Sequence, residues 1–196
     1  HKKHVQLITD DVTAIVVEDT IDALQKIAKH HREKFQYPII AITGSNGKTI
    51  VKEWLYHFLK NKYNISRSPK SYNSQIGVPL SLLQLNKSHT LGIIEAGISH
   101  PKEMDVLVDM IQPTHGVLTH IGTAHSENFK NIDEIALEKN KLFKNTEWMY
   151  SYAQNEELIK DIQKTENTTT LTLGYKGEVF TTEIPFTDDA SIKNAV

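Results

Sequence analysis

The stretch that most limits what this chain can fold into runs from Ile39 to Thr49. A near-continuous apolar run, Ile39-Ile40-Ala41-Ile42, leads into Thr43-Gly44-Ser45-Asn46-Gly47-Lys48-Thr49, and a strongly helical segment follows from Ile50 to Lys60. Such an apolar run suits a parallel strand covered on both faces. The glycines let the backbone curl so that its N–H groups point inward, and the N-terminal end of the next helix adds positive potential. Strand, glycine loop and helix in this order are the layout of a phosphate-binding loop. Lys48 is placed to reach β/γ-phosphates, and the Thr49 hydroxyl to help hold Mg²⁺. One departure stands out. The common pattern puts four residues between its first Gly and Gly-Lys-Thr, whereas here there are two, Ser45 and Asn46. Short Gly/Lys/Thr strings also occur as ordinary turns. The strand before and the helix after are what favour a phosphate site.

The rest of the chain alternates between strand-like and helix-like segments. Thr13 to Val17 reads as a short strand, and Ile21, Leu24, Ile27, Ala28 and His31 then repeat at helical spacing up to about Lys34. The helix after the glycine loop is expected to bury Ile50, Val51, Trp54, Leu55, Phe58 and Leu59. Ser66 to Gly77, polar and containing Pro69, reads as a loop, and Val78 to Leu85 as a short helix. Thr90 to Glu95 is a second core strand. Pro101 suits the first position of a helix striped by Met104, Leu107, Val108 and Ile111. His115 to Thr119 is a third strand, followed by a loop from His120 to Lys130 and a helix capped by Asn131 with Glu134 three residues on. Trp148 to Tyr152 reads as a fourth strand, Glu156 to Lys164 as a helix, and Thr168 to Phe186 as β structure turning at Gly174 and Gly177. This alternation predicts an α/β fold, a mostly parallel sheet with helices on both faces. Right-handed crossovers then bring the C-terminal strand ends to one edge, where ligands bind.

Bulk properties narrow the partners. A formal net charge of -2 gives no reason to expect nucleic acid or an anionic membrane. With no cysteine, disulfides and thiolate metal sites are ruled out, which fits a cytoplasmic setting. No apolar run approaches the roughly 20 residues that span a bilayer, and no stretch reads as a secretory signal. A start at His1 and a stop at Val196 suggest a fragment of a longer chain.

Besides the loop, three features carry chemistry. Glu95 directly follows an apolar strand, where a carboxylate either binds Mg²⁺ near phosphates or simply closes the strand at the surface. His120 and His125 follow the third strand. They are candidate ligands, although with ten His in the chain a loop His is unremarkable. A zinc site from His115, His120 and His125 is a weaker option, because His115 lies inside a strand. Lys139 shares a helix face with Ile132, Ile135, Ala136, Leu142 and Phe143. Snorkelling to water explains such a cation. A desolvated amine of lowered pKa explains it too, and a neutral lysine amine can add CO₂ to become an anionic carbamate.

These features in this order resemble the Mur ligases, the ATP-dependent amino-acid ligases of peptidoglycan synthesis. Thr43 to Thr49 is similar to their shortened phosphate loop. Tyr72-Asn73-Ser74-Gln75-Ile76-Gly77-Val78-Pro79-Leu80 resembles a segment of the MurF-like branch, which adds D-alanyl-D-alanine. Glu95-Ala96-Gly97 with His100 and Glu103 is similar to that branch's Glu-x-Gly-x-x-His-x-x-Glu. Ile121 to Phe129 resembles its His-Leu-Glu-x-Phe block, and Lys139 falls where the family carries a carbamylated lysine. Asn194-Ala195 resembles the start of its adenine-side motif. Ser126, Lys141 and His120 depart from the branch's usual Leu, Glu and Asn, which touches fine substrate contacts more than the reaction class.

The resemblance implies two parts: residues 1–36, the end of an N-terminal substrate domain and a join, and residues 37–196, a central ATP-binding domain incomplete at its C-terminus. Some members of the branch are joined to an alanine racemase, and a fused parent stays open. The implied reaction forms an amide between UDP-N-acetylmuramoyl-tripeptide and D-alanyl-D-alanine through an acyl phosphate, releasing ADP. The fragment alone is expected to be inactive. The resemblance makes Lys48, His125 and Lys139 catalytic, and puts Gly44, Ser45, Asn46, Gly47, Lys48, Thr49 and Asn194 around ATP. It assigns Thr49, Glu95, His125 and carbamylated Lys139 to two Mg²⁺ ions, and Asn73, Ser74 and Gln75 to the substrate side. Another Mur or folylpolyglutamate synthase-like ligase, or a P-loop module that does not ligate, are the alternatives.

Overall fold

A computed structural model describes residues 14–122, 126–151 and 156–196. The chain runs α1 (Thr20–Arg32), β1 (Ile39–Thr43), α2 (Lys48–Leu59), β2 (Ile65–Arg67), α3 (Gly77–Leu82), β3 (Leu91–Glu95), α4 (Glu103–Ile111) and β4 (His115–Leu118). It continues with α5 (Ile132–Asn140), β5 (Trp148–Ser151), β6 (Ile159–Lys164), β7 (Thr169–Tyr175), β8 (Glu178–Ile184) and α6 (Asp189–Ala195). Strands β1 to β5 form one parallel sheet in the order β2-β3-β1-β4-β5, with β1 at its centre. The glycine loop therefore leaves the middle of the sheet. Ile42 pairs with Glu95 and Thr43 with Leu118, so the C-terminal ends of β1, β3 and β4 lie side by side.

Alternation along the strands serves two cores. Ile39, Ala41 and Ile94 pack with Ala28 and Phe35 from α1 and its C-terminal end, Leu82 of α3, and Met104, Leu107 and Ile111 of α4. Ile42, Leu91 and Ile93 face the other way, against Val51 and Leu55 of α2. Helices on both faces and near-continuous burial of β1 and β3 follow from this arrangement. Glu95 extends the alternation begun by Leu91 and Ile93, so its side chain emerges on the α2 side.

The α1 helix is capped by Asp19, whose carboxylate accepts from the N–H groups of Ile21 and Asp22. Its other end is tied down by Arg32, buried at 5% exposure. Its guanidinium donates to the carbonyls of Ile111 (2.9 Å) and Gln112 (3.2 Å) at the end of α4 and to that of Phe35. Asn131 caps α5 as expected, accepting from Glu134 N–H at 2.9 Å.

Several sequence expectations are corrected. Residues 14–17 pair with no strand, and Ile15 and Val16 are exposed. Ser66 lies in strand β2, which parallel pairing with β3 holds at the sheet edge. Phe58 is 75% exposed instead of buried. Pro101 precedes α4, because Lys102 takes a left-handed φ of 72° and the helix begins at Glu103. Glu156 to Lys164 is a 3-10 turn followed by β6, not a helix. Cross-strand pairing with β7 overrides its helix-forming composition. Strands β6-β7-β8 make a second, antiparallel sheet, in which Gly174 is a strand residue and only Lys176-Gly177 form the turn. Among the described residues no helix is long and apolar enough to cross a membrane.

Candidate phosphate and substrate site

The loop after β1 has the backbone a phosphate needs. Gly44 and Gly47 have φ of 146° and 84°, values that side-chain-bearing residues rarely adopt. A Cβ on Gly44 would collide with the Thr119 hydroxyl, and one on Gly47 with the Asn194 amide. The end of β4 buttresses the curve. Ser45 N–H donates to His120 O at 2.8 Å, Ser45 Oγ to Gly122 O at 2.9 Å, and the Thr119 hydroxyl lies against the carbonyls of Thr43 and Asn46. Among the described residues no side chain caps α2, and its first turn carries no acid. Its free N–H groups and dipole are thus left for an anion.

The two predicted catalytic lysines converge on one atom. Lys48 Nζ donates to Gly44 O at 2.7 Å and Lys139 Nζ to the same oxygen at 3.3 Å. Lys139 is only 3% exposed, so it does not snorkel. Burial first, and the nearby Lys48 charge second, push its pKa down to about 8. Burial also lowers Lys48, and the negative charge of Glu95 opposes that shift.

Glu95, fully buried, is the matching acid. Its Oε2 accepts from the Thr49 hydroxyl at 3.1 Å and from Asn73 Nδ2 at 3.4 Å. Thr49 and Glu95 therefore offer adjoining hard oxygens at the mouth of the phosphate loop, a donor set that fits Mg²⁺. The Asn194 side chain lies over Gly47 with its Oδ1 buried and without a hydrogen-bond partner among the described residues, a fit for a donor on a bound ligand.

The substrate-side residues line a cleft of about 280 Å³ with Gly44, Lys48, Lys139 and Glu103. That holds the reacting end of a ligand rather than a whole large substrate. Asn73 is anchored by Gly97 N–H donating to its carbonyl at 2.7 Å. The Ser74 hydroxyl accepts from Ile76 and Gly77 N–H, and Gln75 is held between Gln25 of α1 and the Glu103 carbonyl.

His125 lies outside the described residues, and among those described no group of three acidic or His side chains could hold a metal. His115 and His120 do not converge: His115 is the first residue of β4, with its Nδ1 2.8 Å from the Thr114 hydroxyl, and His120 lies two residues past the other end of the strand. Beside Glu95, one buried charge escaped the sequence reading. Lys52, four residues after Lys48 on the same helix face, has no exposed surface and lies 3.0 Å from Glu95 Oε1. Its i, i+4 spacing from Lys48 was the available signal.

Fold and site together define a P-loop α/β domain with a second cation beside the phosphate loop. Residues 42–196 match the Mur ligase middle domain. The chain belongs to that family. It is 40% identical over 128 residues to a UDP-N-acetylmuramoyl-tripeptide--D-alanyl-D-alanine ligase of Borreliella burgdorferi, covering 65% of this chain and 28% of the relative. It is 39% identical over 132 residues to the enzyme so named from Buchnera aphidicola, covering 67% and 29%. A MurF crystal structure from Acinetobacter baumannii superposes with a TM-score of 0.82 at 26% identity, over 96% of this chain and 47% of that one. The chain thus spans under a third of the length of the curated relatives it matches.

Proposed function

We propose that this chain is the ATP-binding part of a MurF-like ligase, which joins UDP-N-acetylmuramoyl-tripeptide to D-alanyl-D-alanine. Residues 37–196 are then its central domain and residues 1–36 the end of a substrate domain with its join. The observation that carries this reading is the meeting of Lys48 and Lys139 at Gly44 O, beside the Thr49–Glu95 pair. A P-loop module that only held nucleotide would have no use for the buried second lysine.

In this reading the loop amides and Lys48 neutralise charge on the phosphoryl group as it passes from ATP to the tripeptide carboxylate. The D-alanyl-D-alanine amine attacks the acyl phosphate, the amide forms and phosphate leaves. Thr49 and Glu95 would hold Mg²⁺, which when bound supplies further charge neutralisation. His125 and Lys139 serve the substrate side of the same centre. At a pKa of about 8, roughly one Lys139 amine in ten is neutral at pH 7, against about one in 3,000 for an ordinary lysine. That neutral fraction can take up CO₂ as a carbamate. Asn73, Ser74 and Gln75 line the approach of the peptide carboxylate, and Asn194 the adenine side. The setting is the cytoplasm, where ATP and nucleotide-activated sugars occur.

The test is ADP release by the full-length protein, with UDP-tripeptide and D-alanyl-D-alanine each added or withheld. Release that needs the tripeptide and is completed by the dipeptide supports the reading. Another amino acid replacing the dipeptide would point to a different ligase of the superfamily, and release needing no carboxylate substrate to a non-ligating module.

A further inference from the structure

We propose that Lys52 sets the cation selectivity of the phosphate site, by holding Glu95 so that a single carboxylate oxygen faces the metal position. This rests on the nucleotide reading above. The ammonium of Lys52 is fixed by backbone: it donates to Ser68 O at 2.8 Å and to Lys70 O, in a turn where Lys70 takes a left-handed φ of 47°. From that anchored position it lies 3.0 Å from Glu95 Oε1. This is a charge contact, and Oε1 accepts no hydrogen bond among the described residues. With the ammonium 3.0 Å away, a cation taking Oε1 as a ligand would have to displace it. Oε2 is turned to Thr49 and Asn73, toward the loop. A carboxylate limited to one oxygen suits the octahedral shell of Mg²⁺. A larger cation such as Ca²⁺ gains most from bidentate carboxylates and higher coordination. Lys52 is thus a positioning residue acting through Glu95.

The experiment measures binding of a non-hydrolysable ATP analogue to the full-length protein in Mg²⁺, in Ca²⁺ and in EDTA. It is repeated on Lys52→Met and on Lys52→Gln, the second keeping a donor for the Ser68 and Lys70 carbonyls without the charge. The wild type should bind the analogue about tenfold more tightly with Mg²⁺ than with Ca²⁺, and both variants should lose most of that preference. Equal loss of affinity with both cations, leaving the ratio unchanged, would make Lys52 a structural tie and overturn the proposal. So would a wild type that binds equally well with either, whatever the variants do. Binding that is the same in EDTA as in Mg²⁺ would contradict the Mg-nucleotide reading itself.

Discussion

At the scale of single residues, the site stores unfavourable charge. Lys139 is buried beside Lys48, and its pKa falls to about 8. Below that pH the lysine is charged in both folded and unfolded chains, and folding bears the full cost of burying it. Between about 8 and the ordinary 10.5 the folded chain sheds its proton first, so stability rises with pH across that window. Lys139→Met should therefore stabilise the protein at pH 7 by on the order of 1–3 kcal/mol, less the lost bond to Gly44 O, with the gain fading by pH 10.5. Urea denaturation at several pH values checks this, and a gain that does not fade would contradict it. Gly44→Ala is a second case. The Thr119 hydroxyl occupies the space of the new methyl and φ is 146°, so the loop must move. Nucleotide affinity should fall at least about tenfold, read by titration calorimetry.

At the scale of elements, α1 matters more than its place before the family match suggests. Arg32 satisfies carbonyls at the end of α4, and Gln25 reaches Gln75 in the substrate loop. Arg32→Met should leave those buried acceptors unpaired and cost about 2–4 kcal/mol, measured by denaturant unfolding. Asn131→Ala should cost about 1 kcal/mol through the α5 cap alone. The core strands β1 and β3 were legible in sequence because burial on both faces writes a near-unbroken apolar run; β4, His115-Gly116-Val117-Leu118, is only partly buried and was legible from its place in the strand–helix alternation. Strand β2 was not, since Ile65-Ser66-Arg67 is a short edge strand held by its neighbour rather than by its own pattern. Strand β6 misled for the same reason in reverse: Leu158, Ile159 and Ile162 repeat at helical spacing, and only pairing with β7 decides their conformation. Within the site, the glycine loop, Glu95 and Lys139 stood out as motif or anomaly. Lys52 did not, because a lysine on a mixed helix face looks like a solvated one until the fold closes over it.

At the scale of the whole molecule, the parallel sheet brings Thr43, Glu95 and Thr119 to one edge and leaves the cleft open toward α1 and the substrate loop. If the proposed function holds, the small cleft leaves most recognition of a large sugar-nucleotide peptide to parts outside it, while the charge chemistry stays inside. The most direct measurement is ADP release by full-length wild type and Lys48→Ala, with both substrates present. The account predicts substrate-dependent release in the wild type and a loss of at least about a hundredfold in the variant. Release that survives Lys48→Ala unchanged would contradict it.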